Sequence, residues 1–394
     1  MSERGIQVGV IGAGAMGRGI AQVAASAGHS VVLADANAGM VEQARTAIQA
    51  ALRRDVEKKR RTPAEADALL ARIVDAGPVD TGYQAFRGCG LVIEAVVERL
   101  DVKQALFSAL ENVVAPDAVL ATNTSSLSVA AIAGACTNPG RVVGIHFFNP
   151  APVMPLVEIV PAIVTDPSVA ERTASLISGW GKTTVRATDT PGFIVNRVAR
   201  PFYGESLRQL EEGIADVATI DWAMRELGGF RMGPFELMDF IGNDVNYAVT
   251  RSVFESMFND PRYTPALTQQ RLVESGLYGR KRERGYYDYR QGSQAPEPTK
   301  DETLGRAVLD RTLAMLINEA VDAVHRRVAS PADIELAMTR GVNYPRGLLA
   351  WGDEIGPATV LGRLEALQDE YGEDRYRPSP LLRRRVRDRR PLLS

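Results

Sequence analysis

Residues 8–35 read VGVIGAGAMGRGIAQVAASAGHSVVLAD. A short β-branched run meets Gly12-x-Gly14-x-x-Gly17, a helix-length segment continues to Gly28, and a second apolar run ends in Asp35. Each glycine answers one demand of a strand–turn–helix that holds a dinucleotide. Gly12 permits the tight turn, Gly14 lets backbone approach a pyrophosphate, and Gly17 lets helix lie close on strand. The pyrophosphate would sit at the positive end of the helix, where Ala15 and Met16 present unpaired N–H groups. An isolated Gly-x-Gly-x-x-Gly is often only a flexible turn. Here it stands between strand and helix, with a carboxylate closing the second strand. Asp35 there can accept both ribose hydroxyls and repel a 2′-phosphate, which favours NAD over NADP; its other role is that of a strand-end turn residue.

Working outward, apolar runs recur at 91–96, 118–122 and 141–145, separated by helix-length segments. Nearly continuous apolar runs of this kind describe strands buried on both faces of a mostly parallel sheet. From Pro191 the strand signal fades and 3.6-residue periodicity takes over. Residues 291–298 (QGSQAPEP) interrupt that region as a linker. Across it lies an internal repeat. A shift of 114 residues superposes Glu205 on Glu319, Ile220 on Ile334, Ala223-Met224 on Ala337-Met338, Gly233 on Gly347, Asp239 on Asp353 and Ile241-Gly242 on Ile355-Gly356; after one deletion Arg262-Tyr263 meets Arg375-Tyr376. The expected organisation is a Rossmann domain at 1–190, a helical domain at 191–290 forming the substrate cleft, and a second, partial helical repeat at 299–394 with a structural role.

The chain's 394 residues suffice for two or three domains, and a net charge of −2 argues against a general nucleic-acid surface. Dense basic runs are local, at 53–61 and 383–390; the second reads as a solvated terminus. Two cysteines, Cys89 and Cys136, cannot make a disulfide framework. No apolar stretch approaches the roughly 20 residues of a membrane helix. The opening MSERGIQVGVIGAG runs directly into a strand without a signal-peptide pattern, so a cytoplasmic protein with no membrane or nucleic-acid partner is expected.

Open α/β sheets bind ligands beyond the carboxyl ends of their strands. The run 91–96 leads to Glu98, the run 118–122 to Asn123-Thr124-Ser125-Ser126, and the run 141–145 to His146 and then Phe147-Phe148-Asn149-Pro150. Of three histidines, His29 precedes the second strand and His325 lies in the second helical repeat; only His146 is placed for chemistry. Oxidising a secondary alcohol needs a base for the hydroxyl proton as hydride leaves the same carbon, and imidazole titrates in the right range. Glu158, just past the proline-punctuated segment 150–155, can fix its tautomer. A hydroxyl at a strand end such as Ser125 can donate to a developing oxyanion, although Thr-Ser-Ser also makes ordinary local turns. No metal site is expected.

Together GVIGAGAMGRGIA, LVIEAVVE, TNTSSL, GIHFFNPAPVMPLVEIV, DTPGFIVNR and MGPFELMDFIG resemble the L-3-hydroxyacyl-CoA dehydrogenases, including those acting on 3-hydroxybutyryl-CoA and, with tandem helical units, on 3-hydroxyadipyl-CoA, over residues 5 to about 290. The resemblance implies an α/β Rossmann domain followed by all-α domains of the 6-phosphogluconate-dehydrogenase-like type, NAD as cofactor, and an acyl-CoA substrate of fatty-acid β-oxidation. By position it implies His146 as base, Glu158 as its orienting carboxylate, and Ser125 and Asn196 as holders of the substrate oxygen or thioester carbonyl. It also implies Glu98, Lys103, Ser125, Asn149 and Lys281 around the cofactor, and Lys58 near CoA phosphates. Read alone, Lys58 belongs to a basic helix face of the ordinary solvated kind, and Ala51 departs from a CoA-contacting serine of some members.

In dimeric members the single helical domain packs on its twin, so the chain is expected as a homodimer or as a monomer with an internal pseudo-dimer. Asp310 stands where the first repeat has Asn196, which implies no second active site. Two alternatives remain: a dehydrogenase of a free hydroxy acid, like the gulonate dehydrogenases related to λ-crystallin, and a non-catalytic NAD(H)-binding structural or sensor protein. A mere binder has no need of Ser125, His146, Glu158 and Asn196 together.

Overall fold

The structure is a computed structural model and describes residues 5–37, 39–78 and 83–393. The first four residues of the opening stretch lie outside the described ones. The chain divides into two compact units, Met1–Thr190 and Pro191–Ser394.

The first unit is built on eight strands: β1 Gln7–Ile11, β2 Ser30–Asp35, β3 Ile73–Pro78, β4 Cys89–Glu94, β5 Val119–Thr122, β6 Val142–Phe147, β7 Leu156–Pro161 and β8 Thr183–Arg186. They form one sheet in the order β3-β2-β1-β4-β5-β6-β7-β8. The first six are parallel, β7 runs antiparallel to β6, and β8 is parallel to β7. Strands β5 and β6 are buried along their whole length, as the unbroken apolar runs require. Helices α1 Ala15–Ser26, α2 Met40–Glu57, α3 Pro63–Ala71, α4 Leu100–Glu111, α5 Val129–Ala133 and α6 Pro167–Gly179 connect them. Ile20, Ala24, Val41, Ile48 and Leu69 from α1 to α3 pack with Val8, Val10, Val31 and Leu33 of the sheet.

The sheet puts the Gly12 turn, Asp35, the segment after β4, the segment after β5 and the end of β6 on one edge, because β1, β2, β4, β5 and β6 all point the same way. Strand order β3-β2-β1-β4-β5-β6 reverses direction between β1 and β4, and such a switch point opens a crevice for a nucleotide.

The second unit is helical: α7 Val195–Val198, α8 Arg200–Glu211, α9 Val217–Trp222, α10 Pro234–Ile241, α11 Asn243–Ser256, α12 Leu267–Glu274, α13 Glu302–His325, α14 Pro331–Leu336, α15 Leu348–Ile355, α16 Pro357–Tyr371 and α17 Pro380–Arg387. Residues 291–300 carry no helix or strand and are mostly exposed. Buried positions in α13 run unbroken from Arg311 to Ala323, so this helix is covered on every side and forms the centre of the unit. Both helical stretches, read from the sequence as separate domains, lie in this one compact unit.

The repeat is visible in the coordinates down to its irregularities. A π-helical turn at Ala223–Leu227 is matched at Ala337–Gly341, and left-handed Gly242 (φ 105°) at Gly356 (φ 96°). Asp221 accepts the N–H groups of Phe235 and Glu236 at the start of α10; its counterpart Glu335 accepts those of Leu349 and Ala350 at the start of α15.

The buried ion pairs are exchanged between the two copies. Glu205 of the first accepts from Arg311 (2.6 Å), Arg375 (3.1 Å) and the Tyr376 hydroxyl (2.8 Å) of the second. Glu319 of the second accepts from Arg197 (2.6 Å), Arg262 (3.4 Å) and the Tyr263 hydroxyl (2.6 Å) of the first. Residue i meets j' while i' meets j, which is the signature of a two-fold interface written within one chain.

Candidate active site

The Gly12 turn is fixed by close backbone contact. Gly12 has φ +101°, and a Cβ there would lie 2.4 Å from the Ala95 carbonyl oxygen. A Cβ on Gly17 would lie 1.7 Å from the Gly12 carbonyl oxygen. At Gly14, by contrast, a Cβ would meet no protein atom within 4 Å, and Gly14 caps the N-terminus of α1, which Ala15 and Met16 open. Open space in front of unpaired helix N–H groups suits a pyrophosphate. Asp35, half-buried at the end of β2, accepts the Ala13 N–H (2.7 Å) with one carboxylate oxygen and the Asn37 N–H (2.8 Å) with the other. It therefore ties the glycine turn to β2 and retains lone pairs for two hydroxyls. Replacing Asp35 by alanine is expected to raise the KM for NAD about tenfold or more with little change in kcat, and to narrow the preference over NADP. Steady-state kinetics with both cofactors check this; unchanged KM values would remove Asp35 from the ribose site.

At the ends of β4 and β5 a buried cluster shapes the next part of the edge. Lys103 of α4, only 1% exposed, spans two carboxylates, with Nζ 2.6 Å from Glu94 and 3.1 Å from Glu98. Glu94 also accepts from the Thr122 hydroxyl and the Val96 N–H. Glu98 accepts from the Thr124 hydroxyl (2.6 Å) and the N–H groups of Ser125 and Ser126. Burial pushes the Glu98 carboxyl up, but Lys103 beside it and the Thr124 and Ser125 hydrogen bonds bring it below the usual glutamate range. Lys103 thus acts on this edge through Glu98, which in turn fixes the backbone that carries Ser125. Glu94, Thr122 and Thr124 escape the sequence reading, although a glutamate ending an apolar run was a signal for a buried partner. Asp189 escapes it too. It accepts from the Ser128 hydroxyl and the N–H groups of Val129 and Ala130, pinning the start of α5.

His146 and Glu158 are directly opposed across the antiparallel β6–β7 pair. Cross-strand partners face each other at Cβ separations of about 5 Å, so register alone brings their side chains together. Nδ1 of His146 lies 2.6 Å from Glu158 Oε2, with His146 5% exposed and Glu158 fully buried. Phe148 packs on the imidazole with ring centroids 4.5 Å apart. Lys182 donates to the carbonyls of Ala151 and Met154 and so clamps the loop between the two strands. With the ring proton on Nδ1, donated to Glu158, the imidazole lone pair falls on Nε2. Asn149 is exposed just beyond β6. The other histidines are held elsewhere: His29 is buried against Trp180, and His325 lies beside Arg384.

The first unit therefore gathers Gly12, Gly14, Gly17, Asp35, Glu98, Ser125, His146 and Asn149 on one sheet edge. Lys58 is exposed at the C-cap of α2 and makes no ion pair among the described residues. Asn196 and Lys281 belong to the helical unit. Asn196 is half-buried in α7, and Lys281 pairs with Asp244 at 2.6 Å while remaining 45% exposed. Among the described residues no helix is long and apolar enough to cross a membrane.

Comparison with known proteins follows the same division. A family model described as the NAD-binding domain of 3-hydroxyacyl-CoA dehydrogenase matches residues 7–190. The model of that family's C-terminal domain matches twice, at 192–289 and 308–391. The chain is 42% identical to a 3-hydroxyadipyl-CoA dehydrogenase of Escherichia coli (strain K12), covering 96% of this chain and 97% of that protein. It is 41% identical to a 3-hydroxybutyryl-CoA dehydrogenase of Bradyrhizobium diazoefficiens, over 74% of this chain and 97% of the relative. Among solved structures, a 3-hydroxybutyryl-CoA dehydrogenase from Escherichia coli K12 aligns with TM-score 0.91 at 40% identity, covering 97% of this chain and 98% of the other.

Proposed function

This chain belongs to the 3-hydroxyacyl-CoA dehydrogenase family, NAD-dependent oxidoreductases, and from that premise we propose that it oxidises the hydroxyl of an L-3-hydroxyacyl-CoA reversibly to the 3-oxoacyl-CoA with a His146–Glu158 dyad. The observation that carries this reading is the 2.6 Å contact between His146 Nδ1 and a fully buried Glu158 oxygen at the cofactor edge of the sheet. Bound NAD+ supplies the acceptor for the hydride that leaves C3. Nε2 of His146 takes the C3 hydroxyl proton as the carbonyl forms. Glu158 holds the ring in that tautomer and stabilises the imidazolium. The Ser125 hydroxyl, which no described residue engages, donates to the substrate oxygen as charge builds on it. Asn196, by its resemblance to the family's motif, serves the thioester carbonyl. Lys58 and Lys281 are assigned to the CoA phosphates and the cofactor on the same ground.

The second helical repeat serves as an internal twin of the first. Its exchanged glutamate–arginine contacts support this, as does Asp310, which stands in place of Asn196 and pairs with Arg363 at 2.7 Å. It carries no second site.

Relatives named for adipyl and butyryl esters leave the far end of the acyl chain open. Dependence on CoA is testable at once. kcat/KM for 3-hydroxybutyryl-CoA should exceed that for free 3-hydroxybutyrate on the order of a hundredfold or more, because binding energy from the CoA portion lowers the barrier at C3. Comparable rates would assign the enzyme to free hydroxy acids instead.

A further inference from the structure

Five arginines in the helical unit are buried: Arg197, Arg200, Arg262, Arg311 and Arg375. Four are paired with carboxylates of Glu205, Glu212, Glu319, Asp260 or Asp322. Arg200 is the exception. Among the described residues no carboxylate comes within ion-pair distance of it, although it is only 6% exposed. Its Nη1 donates to the Thr250 hydroxyl at 3.0 Å, and that hydroxyl is itself committed to the Asn246 carbonyl. Its guanidinium carbon stands 4.8 Å over the Tyr203 ring. Nε has no partner. Beside it, the buried hydroxyl of Tyr344 has none either. Burial pulls the Arg200 guanidinium below the usual arginine range, with only the Tyr203 and Tyr344 oxygens opposing it. Glu205, the nearest glutamate along α8, is taken by Arg311, Arg375 and Tyr376.

A buried cation with no counter-charge is costly, and an arriving anion would offset that cost. The two vacant donors, an N–H edge of guanidinium and a phenolic O–H, match the two oxygens of one carboxylate. Arg200 also follows Asn196 by four residues along a helical run interrupted at Ala199, so the two are about 6 Å apart along the axis. That is the order of reach from the thioester carbonyl, which Asn196 is proposed to serve, to the terminal carboxylate of a six-carbon diacid. We infer that Arg200, with Tyr344, is the receptor for a carboxylate at the far end of the acyl chain, so that the preferred substrate is the CoA ester of a 3-hydroxy dicarboxylic acid. This rests on the dehydrogenase reading above and specifies its substrate.

The test compares 3-hydroxyadipyl-CoA with 3-hydroxyhexanoyl-CoA, which has the same six carbons and no terminal charge. Wild type should favour the adipyl ester on the order of a hundredfold in kcat/KM. Arg200→Met should bring that ratio to within a few-fold, chiefly through the adipyl KM, and Tyr344→Phe should narrow it less. A general structural defect would lower both esters together and leave the ratio in place. A wild-type ratio near one, or a ratio that survives Arg200→Met, overturns the inference. If Arg200→Met does not fold, the wild-type ratio and Tyr344→Phe decide it. Turnover of neither ester by wild type would sink the dehydrogenase reading; calorimetric titration of the two esters onto wild-type protein would still read the carboxylate preference by itself.

Discussion

In His146→Gln, turnover is expected to fall about three to four orders of magnitude while NADH binds as in wild type. General-base assistance contributes roughly 10²–10⁴ to a proton transfer, and glutamine keeps the shape of the site while offering no base. The Gly12 turn and Asp35, the proposed holders of the cofactor, lie on other strands of the sheet, so binding and turnover should separate. Glu158→Gln acts through the ring and should be the milder of the two, because the imidazole remains but its Nδ1 loses the carboxylate 2.6 Å away. Single-turnover rates beside NADH fluorescence titrations check both. Turnover of His146→Gln within tenfold of wild type would exclude the histidine as base.

The second large effect is on stability. Glu205→Gln should lower the stability of the helical unit by about 3–5 kcal/mol, since removing one partner of a buried ion pair leaves the others uncompensated. Arg375, 4% exposed, has no other carboxylate among the described residues; Tyr376 loses its carboxylate acceptor, and Arg311 loses its Nε contact while keeping Glu212. For a unit of this size that is a drop of roughly 10 °C in Tm. The exposed i,i+4 pair of Glu302 with Arg306 on α13 supplies the control, where Glu302→Gln should cost under about 0.5 kcal/mol. The pH dependence has a definite sign. Burial pushes the Glu205 carboxyl up, but Arg375 and Arg311 hold it below the usual glutamate range. A depressed folded-state value means its contribution is complete at neutral pH and is lost as pH falls through the acid range. The gap in Tm between wild type and Glu205→Gln should therefore close on acidification. A gap of under 1 kcal/mol at neutral pH would show that the network contributes little.

Some of this architecture was legible in the chain and some was not. Sequence periodicity suffices for β1, β2, β4, β5 and β6, because strands buried on both faces are apolar throughout. It misses β3 and β8, whose sequences IVDAGP and TTVR are short and polar at edge positions. It also passes over β7, whose segment LVEIVP is apolar but for Glu158 and follows a proline-punctuated loop, and whose direction is a matter of topology. Only the antiparallel return sets Glu158 opposite His146 rather than merely near it in the chain. The repeat was readable because glycines and an Arg-Tyr pair keep their spacing. That Glu205 would bind the second copy's arginines, and Glu319 the first copy's, was not, since spacing carries no information about which copy a side chain meets. Lys103 and Arg200 illustrate the same gap. Both are simple cations in the sequence; in the fold one bridges two carboxylates and the other meets none among the described residues.

The covalent joining of the two helical copies has a consequence for how they can change. In a pair of identical subunits every codon is expressed on both sides of the axis, so an alteration at the seam is felt twice and a charge can never face its opposite at the same position. Here the positions have separated: Arg208–Glu212 in one copy corresponds to Asp322–Arg326 in the other, with polarity reversed. Each side is free to mutate alone, and dilution cannot pull the seam apart, because its partners share one peptide and its loss is a first-order event at any concentration.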